Sequence, residues 1–186
     1  MIVIVSGLPR SGTSLMMHML QAGGVPLLTD EQRPADADNP QGYWEYAPVK
    51  RLHEDNTWMA QAEGKAVKVI SALLQHLPSH HTYKIIFMQR PMSEVLASQT
   101  MMLQRRGESK GQADDQTLGT IFTQHLDRTM RWLAAQKHMT VLPVQYHAAL
   151  AEPVATATQV ADFLALPLAI TAMAQTVDPQ LYRQRS

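Results

Sequence analysis

The chain contains no cysteine. That excludes disulfides, thiolate nucleophiles and cysteine-ligated zinc, and it fits a reducing compartment. Excess charge is also absent: sixteen Lys and Arg balance sixteen Asp and Glu. No broad field would draw nucleic acid or an anionic membrane, so any anion site must be local. Long apolar runs are missing too, and none approaches the roughly 18 residues of a bilayer span. The opening Met1-Ile2-Val3-Ile4-Val5-Ser6-Gly7 has no basic leader, so a cytoplasmic location is expected, with no membrane partner. What is present is 186 residues, 45% of them hydrophobic, enough for one globular domain over 1–186 with a real core. Twelve methionines read as adaptable core filling.

Ile2 to Val5 is a short β-branched run, read as a strand buried on both faces. A turn bearing Gly7 and Gly12 follows. A helix then opens near Thr13, with Leu15, Met16, Met19 and Leu20 as its apolar stripe and Gly23-Gly24 at its end. Residues 25 to about 45 show no period and read as a long loop, either functional or disordered. Pro48 is expected to open a second helix, with Val49, Leu52, Asn56, Met59 and Ala60 on one face. Strands are expected at 66–70, 83–88 and 140–144, the last at an edge because of Pro143. Helices are expected near 93–105, 118–133 and 154–165, with a partly helical tail. Strands alternating with helices imply an α/β fold, a parallel sheet of about four to five strands with helices on both faces.

The strongest chemical signal is Gly7-Leu8-Pro9-Arg10-Ser11-Gly12-Thr13-Ser14, between a strand and a helix. Glycines there allow successive N–H groups and the helix N-terminus to face an anion. The G-x-x-x-x-G spacing of a nucleotide-binding P-loop is present, but Thr13 stands where its lysine would be, and Arg10 is the only cation in the loop. Pro9-Arg10-Ser11-Gly12-Thr13-Ser14 resembles the 5′-phosphosulfate loop of the sulfotransferase superfamily. A second pattern agrees: Ile85 to Gln89 ends in Arg90, with Ser98 eight residues later. In that family such an arginine and serine bind the 3′-phosphate of the donor. Pro91 keeps Arg90 out of helical geometry. Tyr146, after the fourth strand, is similar to a tyrosine that many members place beside the nucleotide. The resemblance implies a three-layer P-loop fold and the donor 3′-phosphoadenosine 5′-phosphosulfate (PAPS), with no metal. Pro9, Arg10, Ser11, Gly12, Thr13, Ser14, Arg90, Ser98 and Tyr146 are the implied donor-binding residues. Two departures stand out: Arg10 replaces the usual lysine of cytosolic small-molecule members, and the tail lacks their Arg-Lys-Gly motif. Arg10 and the later Glu31-Gln32-Arg33 look closer to tyrosylprotein sulfotransferases.

Sulfuryl transfer is in-line displacement of an anionic group, so positioning and electrostatics carry it. Arg10 is the candidate for stabilising the leaving oxygen. The acceptor, a hydroxyl or amine on a small molecule, saccharide or peptide, must lose a proton. Glu31 is the first candidate base, because its distance from Arg10 is similar to that of the catalytic glutamate in tyrosylprotein sulfotransferases and it lies in the long loop; Arg33 would then be an acceptor-orienting residue. Glu45, in Gly42-Tyr43-Trp44-Glu45, is second and His53 third. His125 lies on a core stripe and receives no catalytic role. Lys68, in the second strand, is placed to reach the sulfuryl oxygens, and Arg105 and Arg106 to attract an acidic acceptor. Two readings compete: a P-loop nucleotide kinase or NTPase, opposed by Thr13, and a nucleotide-binding module without catalysis.

Overall fold

The computed structural model describes residues 1–30, 42–105, 107 and 114–178. Four strands, β1 (Ile2–Gly7), β2 (Ala66–Lys68), β3 (Tyr83–Gln89) and β4 (Met139–Gln145), form one sheet in the order β2-β1-β3-β4. Every pairing is parallel: Val5 lies opposite Lys68 on one side and Ile86 on the other, and Met88 opposite Val144. Pro143 sits on β4, an outer strand, as its missing N–H requires.

Parallel strands need crossovers, and helices supply them. The β1–β2 crossover contains α1 (Thr13–Ala22), the β2–β3 crossover a 3₁₀ segment, Ser71–His76, and the β3–β4 crossover α2 (Met92–Arg105) and α3 (Asp115–Ala134); α4 (Tyr146–Ala151), α5 (Pro153–Leu164) and α6 (Ile170–Gln175) follow the last strand. Strand alternation divides the core in two. Ile2, Ile4, Val67, Ile85 and Phe87 face one way, against Leu133 of α3 and the segments between β1 and β3. Val3, Val5, Ile86, Met88 and Val144 face the other, against α1, α5 and α6. Methionine fills the second layer: Met16, Met17, Met19 and Met173 are fully buried. Among the described residues no helix is long and apolar enough to cross a membrane.

One element departs from expectation. Pro48 opens a short 3₁₀ segment, Ala47–Arg51, and a second, Thr57–Ala62, follows it in place of one helix. The physical reason is local. Asp55 accepts from both the Thr57 N–H and hydroxyl, an Asx turn that competes with continued helix. Val49, Leu52 and Met59 are buried as the stripe requires, but Asn56 and Ala60 are exposed.

Candidate functional site

In a parallel sheet all strand ends lie on one rim, here at Lys68, Gly7, Gln89 and Gln145. The chain leaves β1 to build β2 on one side and β3 on the other. The crevice between β1 and β3 is therefore a topological switch point, where open α/β sheets bind ligands. The loop after β1 and Arg90 after β3 flank that crevice.

The loop is tightly determined. Gly7 (φ 146) and Gly12 (φ 99) have positive φ, and so does Arg10 (φ 72), a strained state for a residue with a side chain. A Cβ on Gly7 would stand 2.6 Å from the Met88 carbonyl oxygen, and one on Gly12 would stand 2.4 Å from Tyr146 Cδ2. Only glycine lets the loop lie this close to β3 and to the Tyr146 ring. The Ser11 N–H donates to the Leu8 carbonyl at 3.2 Å, closing a turn before α1. The opening N–H groups of α1 have no acceptor within the helix and carry its positive dipole end. Ser11 Oγ is buried with no hydrogen-bond partner among the described residues. A loop of left-handed residues, helix N–H groups and an unsatisfied hydroxyl fits an oxyanion.

The two sequence patterns meet here. Arg10 Nε donates to Ser98 Oγ at 2.9 Å, and Arg90 Nη1 donates to the Arg10 carbonyl at 3.2 Å. Ser98 is 6% exposed on α2. The Arg90 guanidinium stacks 4.6 Å from the Tyr146 ring centre. Burial pushes the Tyr146 phenol up, with Arg90 working against the shift. Tyr146 thus wedges between the loop and Arg90. Pro9 is exposed beside the loop, while Thr13 and Ser14 open α1 half-buried.

Two side chains absent from the sequence reading complete this flank. Glu94, 2% exposed, accepts from Arg90 Nε at 2.8 Å and from His147 Nε2 at 2.9 Å. The i,i+4 spacing of Arg90 and Glu94 was the available signal; nothing in the sequence linked His147 to them.

The opposite flank centres on Lys68. Its ammonium donates to the Tyr43 carbonyl and, at 3.4 Å, to Ser14 Oγ of the loop; it lies 3.9 Å from Glu45 Oε1. Although β2 is an outer strand, the Lys68 side chain is only 8% exposed. The Thr29 hydroxyl and Asp30 N–H both donate to the Glu45 carbonyl, and Trp44 stacks on His18 of α1 at 5.9 Å. The segment 42–46 is thereby tied to the rim. Glu31, Arg33 and Arg106 lie outside the described residues. Arg105 is exposed at the end of α2. His53 is on the surface, 3.3 Å from Glu54 and 5.8 Å ring to ring from His76, and is not brought to the loop by either contact. His125 meets Ser71 Oγ at 2.9 Å, and burial lowers its pKa, helped by Arg128.

Between the loop, β3, α2 and α3 lies a cavity of about 310 Å³, lined by Leu8, Ser11, Arg90, Val95 and Leu126 among others.

A sequence profile described as "Sulfotransferase family" matches residues 28–169, about three quarters of the chain. The match takes in Arg90, Ser98 and Tyr146 but begins after the glycine loop, so the loop is an independent observation. No curated protein matches the chain. A sulfotransferase from Mycobacterium tuberculosis superposes with TM-score 0.57 at 16% identity, over 95% of this chain and 70% of that one. A retinol dehydratase, solved with androsterone and the inactive cofactor PAP, gives 0.53 at 15%, over 94% and 62%. This chain therefore spans less than two thirds of that enzyme's length. A mouse sulfotransferase complexed with PAP gives 0.51 at 12%, over 95% and 62%. At these identities the likeness is one of fold.

Proposed function

Because the chain belongs to the sulfotransferase family, we propose that it transfers a sulfuryl group from PAPS to a hydroxyl or amine acceptor. One observation carries the proposal: Arg10 of the loop meets Ser98 at 2.9 Å and Arg90 at 3.2 Å, across 88 and 80 residues of sequence, at the switch point of the sheet. The pattern expected to bind the two ends of a 3′-phosphorylated donor is supported by that convergence.

The donor supplies the activated sulfuryl group, whose bond to the phosphate oxygen breaks as the acceptor oxygen or nitrogen bonds to sulfur. The protein's part is electrostatic. N–H groups of the loop and the first turn of α1 hold the 5′ end, and the helix dipole favours negative charge there. Arg10 offsets charge on the leaving oxygen. Arg90 and Ser98 take the 3′-phosphate, a planar fork suited to it. Tyr146 braces Arg90 and packs on the loop at Gly12. Lys68, held beside Ser14, is the cation on the far side of the loop and faces the transferred group. Glu45, 3.9 Å from this lysine, is the base proposed there; Glu31 remains the alternative on sequence grounds. Within the family, Arg10 and Glu31-Gln32-Arg33 favour a member of the tyrosylprotein type, with a peptide among its acceptors.

Calorimetric titration with adenosine 3′,5′-bisphosphate, beside ATP with magnesium, tests the reading. The bisphosphate is expected to bind at least about tenfold more tightly. The reverse order would replace sulfuryl with phosphoryl chemistry. Binding of the bisphosphate without turnover on any hydroxyl or amine panel would favour the non-catalytic module.

A further inference from the structure

The pocket assigned to the 3′-phosphate already contains an anion of its own. Glu94 lies in the first turn of α2, and its side chain is 1% exposed. One carboxylate oxygen accepts from Arg90 Nε at 2.8 Å and the other from His147 Nε2 at 2.9 Å. The end of β3, α2 and α4 therefore meet on one buried carboxylate. An exposed i,i+4 ion pair swings and contributes little. A buried one is different, because desolvation is offset only when both oxygens are satisfied, as they are here. Glu94 is thus fixed, and so is the guanidinium it holds.

We propose that Glu94 is an internal counter-anion of the nucleotide pocket. It orients Arg90 before the donor arrives, and the donor's 3′-phosphate must then share that guanidinium with it. The proposal rests on the reading of Arg90 and Ser98 as the 3′-phosphate partners. Sharing is possible because a guanidinium carries five donors in a planar fork. Glu94 takes Nε and the Arg10 carbonyl takes one on Nη1. Tyr146 covers one face of the group, so a phosphate approaches at its edge. Charge decides the consequence. Arg90 and Glu94 sum to zero, so the positive field met by a dianionic phosphate is weaker than two arginines would supply, and a fixed like charge opposes it. Glu94 is a specificity-setting and positioning residue. It sets how much affinity a 3′-phosphate adds over a nucleotide that lacks one.

Glu94→Gln separates the two roles, since the amide keeps an acceptor for Arg90 Nε and loses the charge. Calorimetry with adenosine 3′,5′-bisphosphate and with adenosine 5′-monophosphate gives the ratio that matters. In E94Q the bisphosphate should tighten about tenfold while the monophosphate stays within about twofold. The unliganded protein should melt at a lower temperature, because buried Arg90 has lost its counter-charge. A purely structural Glu94 would instead lower melting temperature and weaken both nucleotides together. Weaker bisphosphate binding, or equal gains for both nucleotides, overturns the proposal. Should E94Q not fold, His147→Lys provides the second arm, at a side chain 44% exposed. A lysine there would occupy the other Glu94 oxygen and free part of Arg90's charge. The ratio should rise about threefold in the otherwise native protein, and where E94Q folds, not further in that background. An unchanged ratio in H147K overturns the proposal. Failure of the native protein to bind either nucleotide overturns the functional reading along with it, whereas native binding with an unmoved ratio in the variants overturns the role of Glu94 alone.

Discussion

The glycine loop has two flanks, and each sets a cation beside a carboxylate at a strand end. On the β3 side the pair is Arg90 and Glu94, with side chains 7% and 1% exposed. On the β2 side it is Lys68 and Glu45, 8% and 25% exposed. The first pair is local, four residues apart across a strand–helix junction, at 2.8 Å. The second joins a strand to a distant loop and is longer, at 3.9 Å. The β3 flank is the more buried and more closely paired of the two, and on the proposed reading it takes the nucleotide, the part of the reaction that does not vary. The β2 flank is closed by segment 42–46 folding back on Thr29 and Asp30. Binding and specificity commonly reside on loops held by a fixed scaffold, and that is where an acceptor would be chosen.

The contrast breaks most completely at Gly12, which belongs to neither flank and supports both. A methyl there would strike Tyr146 at 2.4 Å from backbone already at φ 99. Gly12→Ala should cost more than about 100-fold in bisphosphate affinity, while circular dichroism keeps the α/β signature. Normal binding by that variant would mean that the loop and Tyr146 do not constrain each other. Next comes Arg90→Ala, which should weaken the bisphosphate about 100-fold and the monophosphate only slightly. It should also destabilise the fold by roughly 3 kcal/mol by chemical denaturation, because buried Glu94 loses its guanidinium partner and keeps His147. Equal losses for the two nucleotides would remove the 3′-phosphate from this flank.

Lys68→Met carries the comparison to the other side. If the flanks divide the labour, kcat should fall about 30-fold with bisphosphate affinity within about threefold of native. Glu45→Gln should follow the same pattern with a smaller fall, about tenfold. A lysine variant that loses nucleotide affinity in step with rate would show one undivided site.

The same contrast explains what could be read from the sequence. β1, the loop and α1 were legible because a β-branched run, two glycines and a capped apolar stripe are all local signals. Arg90 and Ser98 were singled out by the family resemblance, as an arginine ending a strand and a serine eight residues on. Glu94 was within reach by i,i+4 spacing, but its burial and its bond to His147 depend on α4 docking against α2, which no local pattern encodes. On the β2 flank, Lys68 and Glu45 were each noticed, yet their proximity was not, because it requires the chain to return after a long unpatterned segment. The helix expected from Pro48 failed on turn chemistry: Asp55 bonds to Thr57 and divides the stretch into two 3₁₀ segments. Glu31, the first candidate base, lies outside the described residues, so Glu45 is the carboxylate that the geometry offers.

The smallest expected effect concerns how the β2 flank is anchored. Ser71 begins the 3₁₀ segment just beyond β2, and its hydroxyl meets His125 Nε2 of α3 at 2.9 Å. Burial and then Arg128 lower the His125 pKa below its ordinary value, so the folded state favours the neutral ring. The unfolded chain, with its histidine near about 6.5, then binds the proton more readily as pH falls through that value. By linkage, the stability this group contributes is complete above about pH 6.5 and declines as pH falls toward the lower folded value. His125→Asn retains a polar partner for Ser71 and cannot titrate. Its melting temperature should fall less steeply between about pH 7 and 5.5 than that of the native protein, by a degree or two across the interval. The β3 flank has no part in this contact, so the ratio of bisphosphate to monophosphate affinity should be the same in both proteins at each pH. A ratio that moved with His125 would couple the flanks through α3, and the division of labour between them would have to be abandoned.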